Sequence, residues 1–159
     1  MRYFIAFSYF GKSYHGWQNQ PNAITVQEVL EDALSKLLKE SINVVGAGRT
    51  DAGVHAKEMF AHFDFKQGID LEDLVFRINA FLPDDIAVSE IVQVHKKAHA
   101  RFDATERTYE YWITQKKNPF NFDRAHYVKQ LLDIDKMNAA ASLFLEHQDF
   151  ECFSKSNTD

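Results

Sequence analysis

The stretch INVVGAGRTDAGVHAKEMFAHFDF, residues 42–65, places a glycine-rich loop between two runs of β-branched and aromatic side chains. The runs, Ile42 to Val45 and Met59 to Phe65, favour two consecutive strands. The glycines between them leave the backbone able to adopt turns that residues with a Cβ resist. A charged loop held between two strands is a common way to present a reactive group, so this loop is the first candidate site.

One strand and one helix are predicted ahead of this stretch. Residues Arg2 to Tyr9 are rich in β-branched and aromatic side chains and indicate a strand. Thr25 and Glu28 have the spacing of a capping box, which marks the start of a helix. Apolar side chains then recur at helical spacing and predict one buried face, made of Val26, Val29, Leu30, Ala33, Leu34, Leu37 and Leu38.

The residues after the stretch predict a second helix and a fourth strand. Asp70 is the expected N-cap, and Pro83 ends the helix because proline cannot continue the hydrogen-bond ladder. Ile86 to Val94 alternates as a strand does. The order β-α-β-β-α-β predicts an α+β, ferredoxin-like (RRM-like) domain with an antiparallel sheet over residues 1–98. Such a sheet leaves one face open, and RNA-recognition modules bind bases there.

Residues 99–159 predict the beginning of a second α/β unit that is incomplete. Arg107 to Thr114 alternates as a strand, and a helix capped near Asp135 follows. The residues expected to face inward on that helix are Met137, Ala140, Ala141, Phe144 and Leu145. Because a strand and a helix cannot bury themselves as an independent domain, we expect this sequence to be the front part of a longer protein.

Composition and charge narrow the class of protein. The chain has 159 residues, of which 45% are hydrophobic and 26% charged, as in soluble globular proteins. Its net charge of −5 argues against a general polyanion binder, although Lys and Arg are frequent between Lys96 and Lys129. A single cysteine suits a reducing compartment, and we find neither a membrane-spanning apolar run nor a signal-peptide pattern. We therefore expect a cytoplasmic protein with no membrane partner.

Common nucleotide, metal and thiol chemistries do not fit the sequence. Gly46-Ala47-Gly48 begins like a dinucleotide fingerprint, but Asp51 stands where the third glycine belongs, and a strand follows instead of a helix. The spacing of a phosphate-binding P-loop is also absent. No histidine pair has the spacing of a metal site, so no metal is expected. Cys152 lies between Phe150 and Phe153 and is expected to be a small buried hydrophobe.

Asp51 is the residue of the loop that offers chemistry. An aspartate in a glycine loop is most often a turn residue that bonds its own backbone. The neighbouring Arg49 favours the ionised carboxylate, which can serve as a nucleophile or as a base. The loop at residues 10–21 contains Trp17 and Gln18 and has two interpretations. Either its aromatic rings fold it onto the core, or it forms a lip that touches a planar ligand.

Four segments of the chain resemble motifs of the tRNA pseudouridine synthase A family, in the same order and across nearly the whole sequence. The segments are Tyr14 to Gln20, Gly46 to Ala56, Asn79 to Ile86, and His99 to Ala104 together with Arg107 to Tyr111. A chance match of four ordered motifs is not credible. The chain is therefore identified as similar to this family.

The resemblance implies roles for individual residues. Asp51 corresponds to the catalytic aspartate, a nucleophile that attacks the target uridine so that its glycosidic bond breaks and the uracil rejoins the ribose through carbon. Arg49 corresponds to the arginine that displaces the uridine from its stack, and Tyr109 to the tyrosine that packs against the flipped base. No cofactor and no metal are implied. The other candidate RNA contacts are His55, Gln18, Arg107 and Trp17.

The resemblance also implies a larger assembly. Family members have two ferredoxin-like domains, act as homodimers and bind the anticodon arm, or anticodon stem-loop, of tRNA. This sequence matches the first domain and the opening of the second, and it lacks the later motif that supplies a basic partner for the aspartate. The expected function is conversion of uridine to pseudouridine in tRNA. The alternatives are a non-catalytic RRM-like RNA-binding module, an inactive fragment, and a structural or effector-binding domain.

Overall fold

The structure, a computed structural model, describes residues 1–153, and the chain divides into two compact units. The first unit is Met1–Thr108 and the second is Tyr109–Asp159, whose last six residues lie outside the described part. Residues 99–108 thus belong to the first compact unit, whereas the sequence predicts a domain boundary after residue 98. That boundary stays a prediction about the complete protein. No helix among the described residues is both long enough and apolar enough to span a membrane.

The first unit is a four-stranded antiparallel sheet with two helices. Its elements, in chain order, are β1 (Arg2–Tyr9), α1 (Val26–Leu38), β2 (Val44–Gly46), β3 (Ala56–Asp64), α2 (Leu71–Phe81) and β4 (Ile86–Val94). The strands lie in the order β2-β3-β1-β4, and each neighbouring pair is antiparallel. This topology confirms the predicted α+β, ferredoxin-like domain.

Both helices begin at the caps that the sequence predicts. The Oγ1 atom of Thr25 accepts a hydrogen bond from the Glu28 amide at 3.3 Å, and a carboxylate oxygen of Asp70 accepts one from the Asp73 amide at 3.1 Å. Such bonds satisfy amides that have no partner within the helix. The buried helix residues Val26, Leu30, Ala33, Leu34, Leu74 and Ile78 pack against one face of the sheet.

The second strand is shorter than the sequence predicts. It begins at Val44 rather than at Ile42. The Ile42 amide donates to the hydroxyl of Ser35 at 2.9 Å, so this part of the backbone is held by helix α1 and not by a neighbouring strand. A residue whose amide is already satisfied in this way has no need of a strand partner.

The connector at residues 95–103 crosses the face of the sheet that the helices leave uncovered. A guanidinium nitrogen of Arg2 donates to the Ala98 carbonyl at 2.9 Å, and the Ala100 amide donates to Nδ1 of His62 at 3.2 Å. The rings of His62 and His99 meet edge to face, with centroids 4.6 Å apart. The connector therefore covers part of the surface on which an RRM-type module would bind bases.

The second unit differs from its prediction in several ways. Only Ile113–Thr114 (β5) of the predicted strand at residues 107–114 pairs, with His126–Tyr127 (β6) in parallel. A strand exists only where its backbone finds a partner, and the described residues supply one for two positions. Helix α3 spans Ile134–Leu143, and its N-cap is Asp133 rather than Asp135, because the Asp133 carboxylate accepts from the Lys136 amide at 3.0 Å.

The predicted inward face of α3 is not buried. None of the residues of α3 is buried, and Phe144 and Leu145, which follow it, are 45% and 89% exposed. Cys152 is also exposed, so the prediction of a small buried hydrophobe is wrong. In the described residues of this unit, one short helix and one pair of two-residue strands do not form a buried core.

Candidate functional site

The candidate site is built on the aspartate loop, residues 47–55, which joins β2 to β3. The Ala47 amide donates to the Phe60 carbonyl at 2.7 Å, which fixes the start of the loop to the sheet. Asp51 is exposed, and its carbonyl accepts from the Val54 amide at 3.2 Å to close a turn. Gly53 has φ +79°, a conformation that glycine adopts without strain.

A second segment, the N-terminal loop at residues 10–21, packs against the aspartate loop. The Trp17 amide donates to the Thr50 carbonyl at 3.2 Å, and the Gly53 amide donates to the Tyr14 carbonyl at 3.3 Å. The backbone is therefore held on both sides of Asp51. Gly16 permits this approach, because a Cβ added there would overlap the Thr50 carbonyl oxygen.

The buried side chain of Trp17 supports the two loops. Its side chain is only 3% exposed, and its ring lies 5.3 Å from that of Phe7. A Cβ added at Gly46 would come within 2.6 Å of the indole, so only glycine at this position leaves room for the Trp17 ring. The sequence names Trp17 as a candidate RNA contact, but a ring buried in this way has little surface to offer an RNA. The sequence offers two interpretations of the N-terminal loop, a lip that touches a ligand or a loop folded onto the core by its aromatic rings. The burial of Trp17 agrees with the second interpretation.

Asp51 and Arg49 come together on the surface. Both line an open depression of about 320 Å³, together with His15, Gln18, Gln20, Thr50 and Ala52. A volume of this size is at the lower end of small-ligand sites, which hold about 300–1,000 Å³. The sequence names three of these residues, Asp51, Arg49 and Gln18, as candidate site residues, whereas His15 and Gln20 are not among its candidates. The polar residues of the N-terminal loop indicate in the sequence that the loop can contribute to a site. The sequence pattern does not show which side chains of that loop face Asp51.

His55 and Arg107 hold the two ends of the aspartate loop. The His55 ring stacks on Phe10 with centroids 4.0 Å apart, and its Nδ1 atom accepts from the Gly11 amide at 2.9 Å. The guanidinium of Arg107 donates to the Ala47 carbonyl through Nε at 3.1 Å and through Nη2 at 2.7 Å. Both side chains, named as candidate RNA contacts, thus have partners within the protein.

Two further hydrogen bonds, both made by hydroxyl groups, contribute to this arrangement. The Tyr9 hydroxyl and Thr50 Oγ1 share a hydrogen bond of 2.8 Å. The Tyr14 hydroxyl donates to a carboxylate oxygen of Asp85 at 2.6 Å. Burial, and then the bond to Asp85, raise the pKa of Tyr14 well above the usual value for tyrosine, so its hydroxyl stays a donor at any physiological pH.

Two other expectations concern Tyr109 and metal binding. Tyr109 lies at the start of the second unit and is 74% exposed, so the face of its ring is accessible. Among residues 1–153, no group of three or more His, Cys, Asp or Glu side chains is arranged to hold a metal ion.

Comparison with known proteins gives the family. Residues 5–103 match the family model described as tRNA pseudouridine synthase. The chain is 51% identical, over 99% of its length, to tRNA pseudouridine synthase A of Parabacteroides distasonis and to that of Bacteroides thetaiotaomicron, covering 63% and 59% of those proteins. It is 40% identical, over 97% of its length, to tRNA pseudouridine synthase A of Thermoanaerobacter sp., covering 64% of that protein. The chain thus spans about three fifths of the length of these relatives, and it belongs to the tRNA pseudouridine synthase family.

Proposed function

We propose that the complete protein isomerises uridine to pseudouridine in tRNA, with Asp51 as the catalytic nucleophile. The observation that carries this proposal is the exposed Asp51 in a depression that Arg49 also lines, on a loop whose backbone is held on both sides. A reactive carboxylate needs this combination of access and fixed position. Membership of the family supports the reaction itself.

The reaction needs a carboxylate and a way to expose the base. The glycosidic C–N bond breaks and a C–C bond forms between the same uracil and ribose, so no atom is gained or lost. An exposed, ionised carboxylate is the starting point whether Asp51 adds to the base, attacks the ribose or removes a ribose proton. The target base must leave its stack to reach the loop, because its reacting atoms are inaccessible inside a stem. Arg49 lines the same depression as Asp51, which supports its proposed role in displacing the uridine from its stack.

The finer parts of the proposal concern the substrate and the assembly. The sequence motifs support the anticodon arm of tRNA as the place of modification and a homodimer as the active assembly. The motifs also support stacking of the flipped base on the ring of Tyr109, which is exposed. We further propose that the protein acts in the cytoplasm, because a reducing compartment suits its single cysteine. Mapping pseudouridine along tRNA treated with the complete protein tests the anticodon arm as the place of modification. The mass of the complete protein in solution tests the homodimer.

The central test changes Asp51 in the complete protein. We expect Asp51→Asn to reduce pseudouridine formation on tRNA transcripts by more than ~10³-fold, the order of loss seen when a catalytic nucleophile is removed. Binding of tRNA should stay within about threefold of wild type, since the asparagine is isosteric. Asp32→Asn is the control, because Asp32 is an exposed carboxylate on α1 that pairs with Lys36.

Normal turnover by the Asp51→Asn variant would contradict the mechanism. A wild-type protein that binds tRNA but forms no pseudouridine would instead favour the non-catalytic RNA-binding module. The connector over the sheet already takes part of the face that such a module would use.

A further inference from the structure

The turn between α2 and β4 reaches the N-terminal loop through Asp85. The Phe10 amide donates to the Asp85 carbonyl at 2.8 Å, and the Tyr14 hydroxyl donates to the Asp85 carboxylate at 2.6 Å. Asp85 therefore holds the N-terminal loop by one backbone bond and one side-chain bond. It belongs to the segment Asn79 to Ile86, which the sequence singles out and to which the proposed reaction assigns no role.

Tyr14 links this turn to the aspartate loop. Its side chain is 6% exposed, so its hydroxyl lies in a place where a lost hydrogen bond is not readily replaced by water. Its carbonyl accepts from the Gly53 amide, two residues beyond Asp51. The same segment holds the Thr50 carbonyl through the Trp17 amide. A shift of Tyr14 would move the backbone on both sides of the carboxylate.

Neither Tyr14 nor Asp85 lines the depression that contains Asp51. Their effect on the carboxylate must therefore pass through the backbone of the two loops. A bond between a hydroxyl and a carboxylate is short and stronger than a bond between neutral groups. Such a bond is suited to hold a loop in one position while the substrate binds.

We propose that Asp85, acting through the hydroxyl of Tyr14, is a positioning residue that sets the orientation of the aspartate loop and so of the Asp51 carboxylate. This inference rests on the proposed function of Asp51. It assigns a task to the α2–β4 turn that is separate from ending the helix. Because the pair lies outside the depression that contains Asp51, its loss should lower kcat and leave KM for tRNA nearly unchanged.

The experiment compares four variants of the complete protein: Tyr14→Phe, Asp85→Ala, Asp85→Asn and Asp84→Ala. Tyr14→Phe and Asp85→Ala each remove the bond, and both should lower kcat about 10- to 100-fold, since a displacement of about 1 Å in an active site costs up to about 10²-fold. Asp85→Asn keeps an oxygen that accepts from Tyr14, so it should recover most of the activity. Asp84→Ala is the matched control, because Asp84 is the exposed neighbour in the same turn.

Two further readouts separate positioning from a general loss of stability. The double variant Tyr14→Phe with Asp85→Ala should be no slower than the worse single variant, because both remove the same bond. Hydrogen exchange, followed by mass spectrometry, should be faster in peptides covering residues 47–55 of Tyr14→Phe and unchanged in peptides covering β4. Uniformly faster exchange across the whole first unit would overturn the inference in favour of a purely structural role.

The outcomes distinguish this inference from the proposed function. If wild type forms no pseudouridine, the proposed function fails and the inference falls with it. If wild type is active and Asp51→Asn is inactive, but Tyr14→Phe and Asp85→Ala keep full kcat, only the inference is overturned. A rise in KM with unchanged kcat also overturns it, since that result would mean that the pair contributes to binding.

Discussion

Arg107 holds the aspartate loop by its backbone. Its guanidinium donates twice to the Ala47 carbonyl and once to the Arg101 carbonyl, at 2.7 Å. The planar, forked donors of arginine suit this arrangement, and a lysine ammonium does not reproduce it. The sequence names Arg107 as a candidate RNA contact, whereas the structure shows it holding the loop. Loss of a residue that holds the loop affects catalysis, and loss of an RNA contact affects tRNA binding.

The substitution Arg107→Met separates these roles. If Arg107 positions the loop, kcat should fall about tenfold while the salt dependence of tRNA binding stays that of wild type. An RNA contact would instead lower the slope of log K against log salt concentration by about 0.7–0.9, the loss expected for one phosphate neutralised by a cation. We expect the first result, because the structure shows the guanidinium bonded to two backbone carbonyls. Lys117→Met, which removes an exposed cation in the second unit, is the control for charge.

Helix α1 supports the site through its N-cap, Thr25, and the N-terminal loop. Thr25 is fully buried, its Oγ1 atom accepts from the Glu28 amide, and its hydroxyl donates to the side-chain oxygen of Asn19 at 2.8 Å. The Asn19 amide donates in turn to the side chain of Gln27 at 3.0 Å. The same hydroxyl therefore starts the helix and fixes the loop that borders the aspartate.

Replacing Thr25 by alanine should destabilise the first unit. The change leaves the Glu28 amide and the Asn19 oxygen without their partner, and loss of such a cap costs about 0.5–2 kcal/mol. Urea unfolding of the wild type and the variant measures the difference in the free energy of unfolding. Thr25→Ser keeps the hydroxyl and should lose less. An equal loss in both variants would assign the effect to the buried methyl group instead of the cap.

At the scale of the whole first unit, the connector ties the chain after β4 back to the sheet. His62 is buried beneath it and accepts from the Ala100 amide. Burial lowers the pKa of His62, the positive charges of Arg2 and His99 lower it further, and Asp64 and Asp103 oppose the change. A protonated His62 would lose its bond to Ala100, because both ring nitrogens of an imidazolium are donors.

This pKa shift predicts a pH dependence of stability. Because the folded pKa is depressed, the contribution of neutral His62 is complete above the unfolded value of 6.5 and is lost as the pH falls through the folded value. The difference in free energy of unfolding between wild type and His62→Asn should therefore shrink from pH 8 to pH 5, because an asparagine oxygen can accept from Ala100 without titrating. The control His95→Asn changes an exposed histidine and should keep the pH dependence of wild type. A constant difference would contradict the prediction.

The chain's local patterns alone determined most of the first unit. Strands Arg2–Tyr9 and Ile86–Val94 and the caps at Thr25 and Asp70 were predicted as the structure has them, because each depends on residues close together in sequence. The aspartate loop was also identified from its glycines and charges. The second unit was predicted less well, since an alternating pattern such as Arg107 to Thr114 becomes a strand only where another strand pairs with it.

Tertiary structure alone decided how the site is held. The Tyr14–Asp85 bond joins residues 71 apart, and the Arg107–Ala47 bonds join residues 60 apart. Local periodicity carries no information about such pairs, because their approach depends on how the helices and strands pack. The same reason applies to Gly16 and Trp17. The sequence marks Gly16 as a turn residue, whereas packing makes it the point where the two loops approach closely. The sequence marks Trp17 as a candidate RNA contact, whereas packing buries its ring.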